Sequence, residues 1–249
     1  ARVQVPDFDP NDDTWQLAHL RGDPSFEARF TGAYGAWPDK TGRHGYFQSG
    51  SVGKLFTALA ALRVNGEVAD EGCAARADFD FFCSARDEDG PMFTRPGWSR
   101  PVHDHFRDVT HGHVDLVEAI AVSCNVFFGQ LALAIGPSPF VTLRDAGVGV
   151  GYEGSRRFDP GAPGSRELAS TGFGQGALAM NVMQAARLVA AIGGGARYRM
   201  CPASMVGGVP CTKVPLLSDA RSVGPVLAGM RRVMTSGTGR GLEEPDGVR

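Results

Sequence analysis

The chain has 249 residues, with 25 basic side chains against 27 acidic ones and a formal net charge of −2. That balance, with no cluster of Lys or Arg, gives no electrostatic footprint for nucleic acid, and a hydrophobic content of 43% excludes a disordered chain. No apolar run reaches the ~18 residues that a membrane-spanning helix needs, and the length suits one large domain or two small ones.

Arg2-Val3-Gln4-Val5 alternates and reads as part of a strand already under way. From Val52 to Val64, Leu55, Phe56, Leu59 and Leu62 recur at helical spacing, and Asn65-Gly66 is the expected stop. Between Cys73 and Phe106 the chain is polar, aromatic and irregular, which reads as a lobe or insert instead of a buried sheet. Asp115 to Val122 and Val126 to Ile135 predict an apolar helical pair, interrupted at Ser123-Cys124-Asn125 and closed by Gly136-Pro137. Pro139 to Ala146 is a short helix ending at Gly147, and Asn181 to Ile192 is another, stopped by three glycines. Ser218 to Ser236 is amphipathic, with Val223, Val226, Leu227, Met230 and Val233 on its apolar side. No repeat and no low-complexity linker divides the chain, so the expected fold class is α+β, rich in helices, as one domain over residues 1–249. Both ends read as cut, with further chain expected on either side.

The five cysteines are odd in number and sparse for the length, so no disulfide framework is expected. One bridge, between Cys73 and Cys83, stays open as an alternative.

Two short segments carry chemistry. Ser51-Val52-Gly53-Lys54 opens the first helix, and three residues is nearly one turn, so the hydroxyl and the amine share a face. Exposed N–H groups at a helix start favour developing negative charge. A serine is a weak nucleophile until a base takes its proton, and a lysine does so once burial depresses its pKa. Only three of the 25 basic residues are lysines, which favours a specific need for Lys54 over a solvated surface role. Ser123-Cys124-Asn125 lies where two apolar helices break, so Ser123 is placed to pass a proton and Asn125 to hold a substrate amide. An ordinary helix–helix turn would use the same residue types. His103, Asp104, His105, His111 and His113 crowd together with Cys83 upstream. Imidazole and thiolate would suit zinc, but a polar lobe with solvated histidines is the expected reading, with no metal and no cofactor.

In this order the segments resemble the transpeptidase domain of penicillin-binding proteins, closest to the monofunctional class B type. The resemblance runs through Pro6-Asp7-Phe8-Asp9-Pro10-Asn11, Gly50 to Ala58, His111 to Leu116 and on to Asn125, Thr171 to Gly176, Gly229 to Val233 and Gly237-Thr238-Gly239. It implies the penicillin-binding and serine β-lactamase-like fold, an antiparallel sheet flanked by helices with a mostly helical lobe. It implies a D,D-transpeptidase in which Ser51 attacks the penultimate D-Ala carbonyl of a peptidoglycan stem peptide, with Lys54 as general base. Ser123 relays protons, Asn125 orients the substrate backbone, and β-lactams acylate the same serine. Implied partners are stem peptides, a membrane glycosyltransferase, and division or elongation machinery at the outer face of the bacterial membrane, reached through an anchor not in this chain. The family's third motif, Lys-Thr-Gly or Lys-Ser-Gly, does not follow Asn125. Lys40-Thr41-Gly42 has the letters but precedes Ser51, and is read as coincidence. Gln48-Ser49 stands where a Pro-Gly pair is usual. A non-catalytic penicillin-binding sensor and a class D-like serine β-lactamase are the rival readings.

Overall fold

The structure is a computed structural model that describes residues 47–67, 80–83, 85–146, 148, 158–180, 182–196, 216–217 and 223–241. The segments at Arg2–Val5 and Pro6–Asn11, the triplet Lys40-Thr41-Gly42, and Cys73, Cys201 and Cys211 lie outside the described residues.

Strand β1 (Phe47–Gln48) leads through a 3₁₀ turn (Gly50–Val52) into helix α1 (Gly53–Glu67). Phe56, Ala58, Leu59, Ala60 and Ala61 on α1 have no solvent exposure. A helix apolar on nearly every side has to sit in the middle of the fold, and α1 is the central element around which the others are laid. It runs past the expected stop at Asn65-Gly66 to Glu67.

The region from Cys73 to Phe106, read as an irregular lobe, contains four short strands among its described residues and a fifth follows it, which corrects the sequence expectation. Strands β2 (Asp80–Cys83), β3 (Arg86–Asp87), β4 (Gly90–Phe93), β5 (Val102–His103) and β6 (Gly112–Asp115) form two small antiparallel sheets. One has the order β3-β4-β5, and in the other β2 pairs with β6, Cys83 facing Gly112. Strands of two to four residues are too short to display a period. Phe81 and Phe82 show the alternation that is present: Phe81 packs on the core, while Phe82 is 64% exposed.

Asp115 ends β6 and caps helix α2 (Leu116–Ala121), its carboxylate accepting the Glu118 N–H at 2.7 Å. After the break at residues 122–124 comes helix α3 (Asn125–Ile135), which buries Phe127, Phe128 and Leu131 completely. Gly136 stops it with φ +72°, and helix α4 (Ser138–Asp145) turns away by 88°. No single described helix is long and apolar enough to cross a membrane.

Helix α5 (Arg166–Gly172) has no counterpart in the expected elements. Its signal was local: Ser165 accepts the Leu168 N–H at 3.1 Å, and Glu167 sits in the first turn. Strand β7 (Ala179–Met180) pairs antiparallel with β1, and helix α6 (Val182–Gly193) follows. Helix α7 (Gly224–Thr235) lies on α2, with Gly229 so close that a Cβ there would come within 2.7 Å of the Ile120 Cβ.

The turn between α5 and β7 braces the start of α1. Gly50 N–H donates to the Gly174 carbonyl at 2.9 Å and Ser49 N–H to the Leu178 carbonyl at 3.2 Å. Gly174 has φ +85°, and a Cβ there would overlap the carbonyl oxygen of Gly50. Gly174→Ala therefore combines a steric clash with a conformation that costs a side-chain-bearing residue. The expected loss is about 3 kcal/mol, which lowers the melting temperature by roughly 10 °C in a chain of this size. A thermal melt within a degree of the parent would refute this account of the brace.

Candidate active site

Ser51 lies in the 3₁₀ turn held by that brace. Gly50 takes φ +55°, and the Ser49 hydroxyl, itself buried, donates to the carbonyls of Gly174 and Leu178 at 3.4 and 3.3 Å. Gly53 allows the closeness: a Cβ there would reach 2.5 Å from Leu178 Cδ2 and 2.7 Å from Gly174 Cα. The turn presents Ser51 as an exposed residue, and one helical turn on, Lys54 is buried, at 3% exposure.

Ser123 comes to the same place from the break between α2 and α3. It is one of two described non-glycine residues with positive φ, at +56°. In the left-handed geometry of that break both its hydroxyl and its carbonyl meet the lysine. Lys54 Nζ donates to the Ser123 carbonyl at 2.5 Å, to Ser123 Oγ at 2.8 Å and to Ser51 Oγ at 3.4 Å. Ser123 Oγ also stands 3.0 Å from Ser51 Oγ, closing a triangle of two hydroxyls and an amine. The structure thus brings together Ser51, Lys54 and Ser123 from segments 69 and 72 residues apart.

Burial dominates the electrostatics of Lys54. Loss of solvation lowers its pKa from 10.5 to about 8, against the opposing pull of the Asp104 charge. The Phe128 ring, 5.9 Å from Nζ, forms one of the walls that keep water out. An amine with a pKa near 8 is neutral in about a fifth of the molecules at physiological pH, and that fraction can accept a proton from either hydroxyl.

Asn125 is held differently. Its side-chain N–H donates to the His103 carbonyl at 3.1 Å and its backbone N–H to Asp104 Oδ1 at 3.1 Å. It is tied to β5, next to the triangle, and does not line the cleft above Ser51. That cleft, of about 270 Å³, has Ser51, Lys54 and Ser123 on its polar side and Ile120, Met230 and Val233 on its apolar side, with Thr238. Met230, Val233 and Thr238 fall in the late segments that carried the sequence resemblance.

The histidine cluster divides. His105 and His113 are exposed, as expected of solvated histidines, and His103 Nε2 lies 3.0 Å from both Asp87 oxygens. That contact holds the exposed Asp87 carboxyl below its usual range. Asp104 was missed as a structural centre, since nothing in its sequence neighbourhood marks it as buried. It is 6% exposed and accepts from the backbone N–H groups of His105 and Asn125, and His111 Nε2 lies 3.3 Å from its second oxygen. Burial raises the Asp104 pKa, but the contacts with His111, Cys124 and the two N–H groups outweigh it and hold the carboxyl below its usual range. Cys83, Asp104 and Cys124 gather their ligand-type atoms within 4.8 Å of one another. Cys83 is a free thiol beside Cys124, while Cys73, the partner left open by the sequence, lies outside the described residues.

Known proteins share this fold. A family model described as the penicillin binding protein transpeptidase domain matches residues 85–246. The chain belongs to that family. The matched span includes Ser123 and Asn125 and begins after Ser51 and Lys54, which the fold returns to it. No curated protein sequence matches the chain significantly. Solved structures with the same fold include a peptidoglycan glycosyltransferase from Burkholderia ambifaria, at 19% identity and TM-score 0.58, covering 81% of this chain and 61% of that one. Penicillin-binding protein A from M. tuberculosis, seen as an imipenem acyl-enzyme complex, matches at 18% identity and TM-score 0.54, over 85% of this chain and 50% of the other. The transpeptidase domain of Burkholderia pseudomallei penicillin-binding protein 3 matches at 20% identity and TM-score 0.54, over 81% and 58%. This transpeptidase-family chain therefore spans between half and about three fifths of those structures. Its helices with small antiparallel sheets are the α+β penicillin-binding fold that the sequence led us to expect.

Proposed function

We propose that the chain is the acyl-transfer core of a D,D-transpeptidase acting on peptidoglycan stem peptides. The observation that carries this reading is the triangle of Ser51, Lys54 and Ser123 at the mouth of a cleft. Neutral Lys54 takes the Ser51 proton, directly or through Ser123 Oγ, as the serine oxygen attacks the penultimate D-Ala carbonyl. Collapse of the tetrahedral adduct breaks the bond to the terminal D-Ala, whose nitrogen receives a proton through Ser123. An amine on a neighbouring strand then attacks the acyl-serine, forming the cross-link and freeing Ser51. A β-lactam enters the same first step, but its leaving group stays tethered to the acyl group. Ser51 lies just before the first turn of α1, whose N–H groups favour a developing negative charge. Asn125 acts as a substrate-backbone contact once its amide turns from the His103 carbonyl. The same reading places the protein at the outer face of the bacterial membrane, with glycan-polymerising and division or elongation partners.

The test is to incubate the full chain with a fluorescent penicillin and, separately, with a D-Ala-D-Ala peptide plus an acceptor amine. A penicillin adduct on Ser51 lasting many minutes, with release of D-Ala and formation of a cross-linked product, is the expected result. Rapid hydrolysis of the adduct would make the chain a β-lactamase, and a lasting adduct without D-Ala release would make it a sensor.

A further inference from the structure

Ser49 stands at the cap of the 3₁₀ turn that carries Ser51. A serine in that place ordinarily turns its oxygen back to accept an N–H from the first turn of the helix it opens. Ser49 makes no such bond, and its backbone is already helical, with φ −65° and ψ −16°. Its hydroxyl points the other way and is shared between the carbonyls of Gly174 and Leu178, at 3.4 and 3.3 Å. The slot that holds the hydroxyl is made of backbone. A Cβ on Gly53 would come within 2.3 Å of Ser49 Oγ, and one on Gly174 within 3.1 Å. The neighbouring amides reach the same turn, Ser49 N–H donating to Leu178 and Gly50 N–H to Gly174. Ser51, by contrast, is exposed. Little packing holds its side chain, so the backbone of the turn sets where its Oγ lies, 3.0 Å from Ser123 Oγ and 3.4 Å from Lys54 Nζ.

We propose that Ser49 is a positioning residue for Ser51, an inference that rests on the acyl-transfer reading above. Its hydroxyl touches no substrate. It ties the entry of the turn to the Gly174–Leu178 turn and so fixes the distance from Ser51 Oγ to its base. Removing the hydroxyl orphans neither carbonyl, because Gly174 keeps the Gly50 N–H and Leu178 keeps the Ser49 N–H. The fold therefore loses little. Lys54 stays buried and keeps both contacts with Ser123, so its proton affinity is unmoved. What changes is the freedom of the turn, and a misplacement on the order of 1 Å at a reacting atom costs up to about 10²-fold in rate. The loss falls on the chemical step, with binding and stability nearly unchanged.

The experiment compares the unaltered chain with Ser49→Ala. The concentration dependence of penicillin labelling separates the limiting acylation rate from the dissociation constant of the complex that precedes it. A thermal melt and amide hydrogen exchange are read on the same samples. The limiting rate should fall about tenfold in the variant, the dissociation constant should stay within about twofold, and the pH dependence should stay centred near 8. The melting temperature should drop by no more than about 4 °C. Exchange of the Gly50 amide should quicken about tenfold. An unchanged limiting rate overturns the proposal, and so does a loss carried by weaker penicillin binding. A larger drop in melting temperature makes Ser49 an ordinary structural contact and overturns it too. If the unaltered chain takes no penicillin, the acyl-transfer reading fails, while the Gly50 amide still decides whether Ser49 fixes the turn. Full protection of that amide in the variant would show that it does not.

Discussion

Ser51→Ala is expected to abolish covalent labelling by a fluorescent penicillin, lowering the acylation rate by at least about 10³-fold. The hydroxyl is exposed and its two contacts are the Lys54 amine at 3.4 Å and the Ser123 hydroxyl at 3.0 Å. Removing it leaves Lys54 with the Ser123 carbonyl and hydroxyl, so no buried group is orphaned. The thermal melt should therefore stay within about 0.5 kcal/mol of the parent, as for other exposed substitutions. A chain that folds as before and takes no label separates chemistry from structure. Labelling that persists on another residue would remove Ser51 from the mechanism.

The second large effect belongs to Lys54, and it is a pH effect. The amine must be neutral to act as base, and its folded-state pKa is about 8. Acylation should therefore rise about tenfold per pH unit up to roughly pH 7.5 and level off above pH 8 to 9. Lys54→Met, which keeps the apolar stem without the amine, should lower the plateau by about 10²- to 10⁴-fold and erase the limb. A limb that survives in the variant, or one centred near 10.5, would assign the base elsewhere. Stability carries the same signature with a determined sign. The unfolded lysine holds its proton up to about 10.5, the folded one only to about 8. Below pH 8 the full cost of a buried charge is present, and stability rises as pH climbs from 8 to 10.5. Over that window the group contributes up to about 3 kcal/mol. Because Lys54 is 3% exposed, solvent screening takes little from that figure.

These two residues were legible because their relation is local. A Ser and a Lys three positions apart on a helix share a face whatever surrounds them, and the helix itself announced its period through Leu55, Phe56, Leu59 and Leu62. The break at Ser123 was legible as a gap between two apolar helices. What the sequence hid is everything set by pairing across distance. Strands β3 and β5 have two residues each, which leaves no alternation to read. Helix α5 is seven residues long and has little apolar period of its own, although Ser165 and Glu167 mark its start. Asp104 looked like one more polar residue among histidines, because its burial depends on the N-terminus of α3 arriving beside β5. Asn125 was placed correctly in the chain, but its side chain is engaged by the His103 carbonyl, a contact no spacing rule contains.

The brace behind Ser51 has a kinetic consequence. Ser49 reaches carbonyls 125 and 129 positions away, and Lys54 reaches a hydroxyl 69 positions away. Helix α1 can form early from neighbouring residues, but the turn that aims Ser51 closes only when the stretch through Leu178 has folded back on it. During synthesis the serine leaves the ribosome long before its support exists. A chain stalled anywhere short of that turn carries Ser51 without the support that fixes its turn.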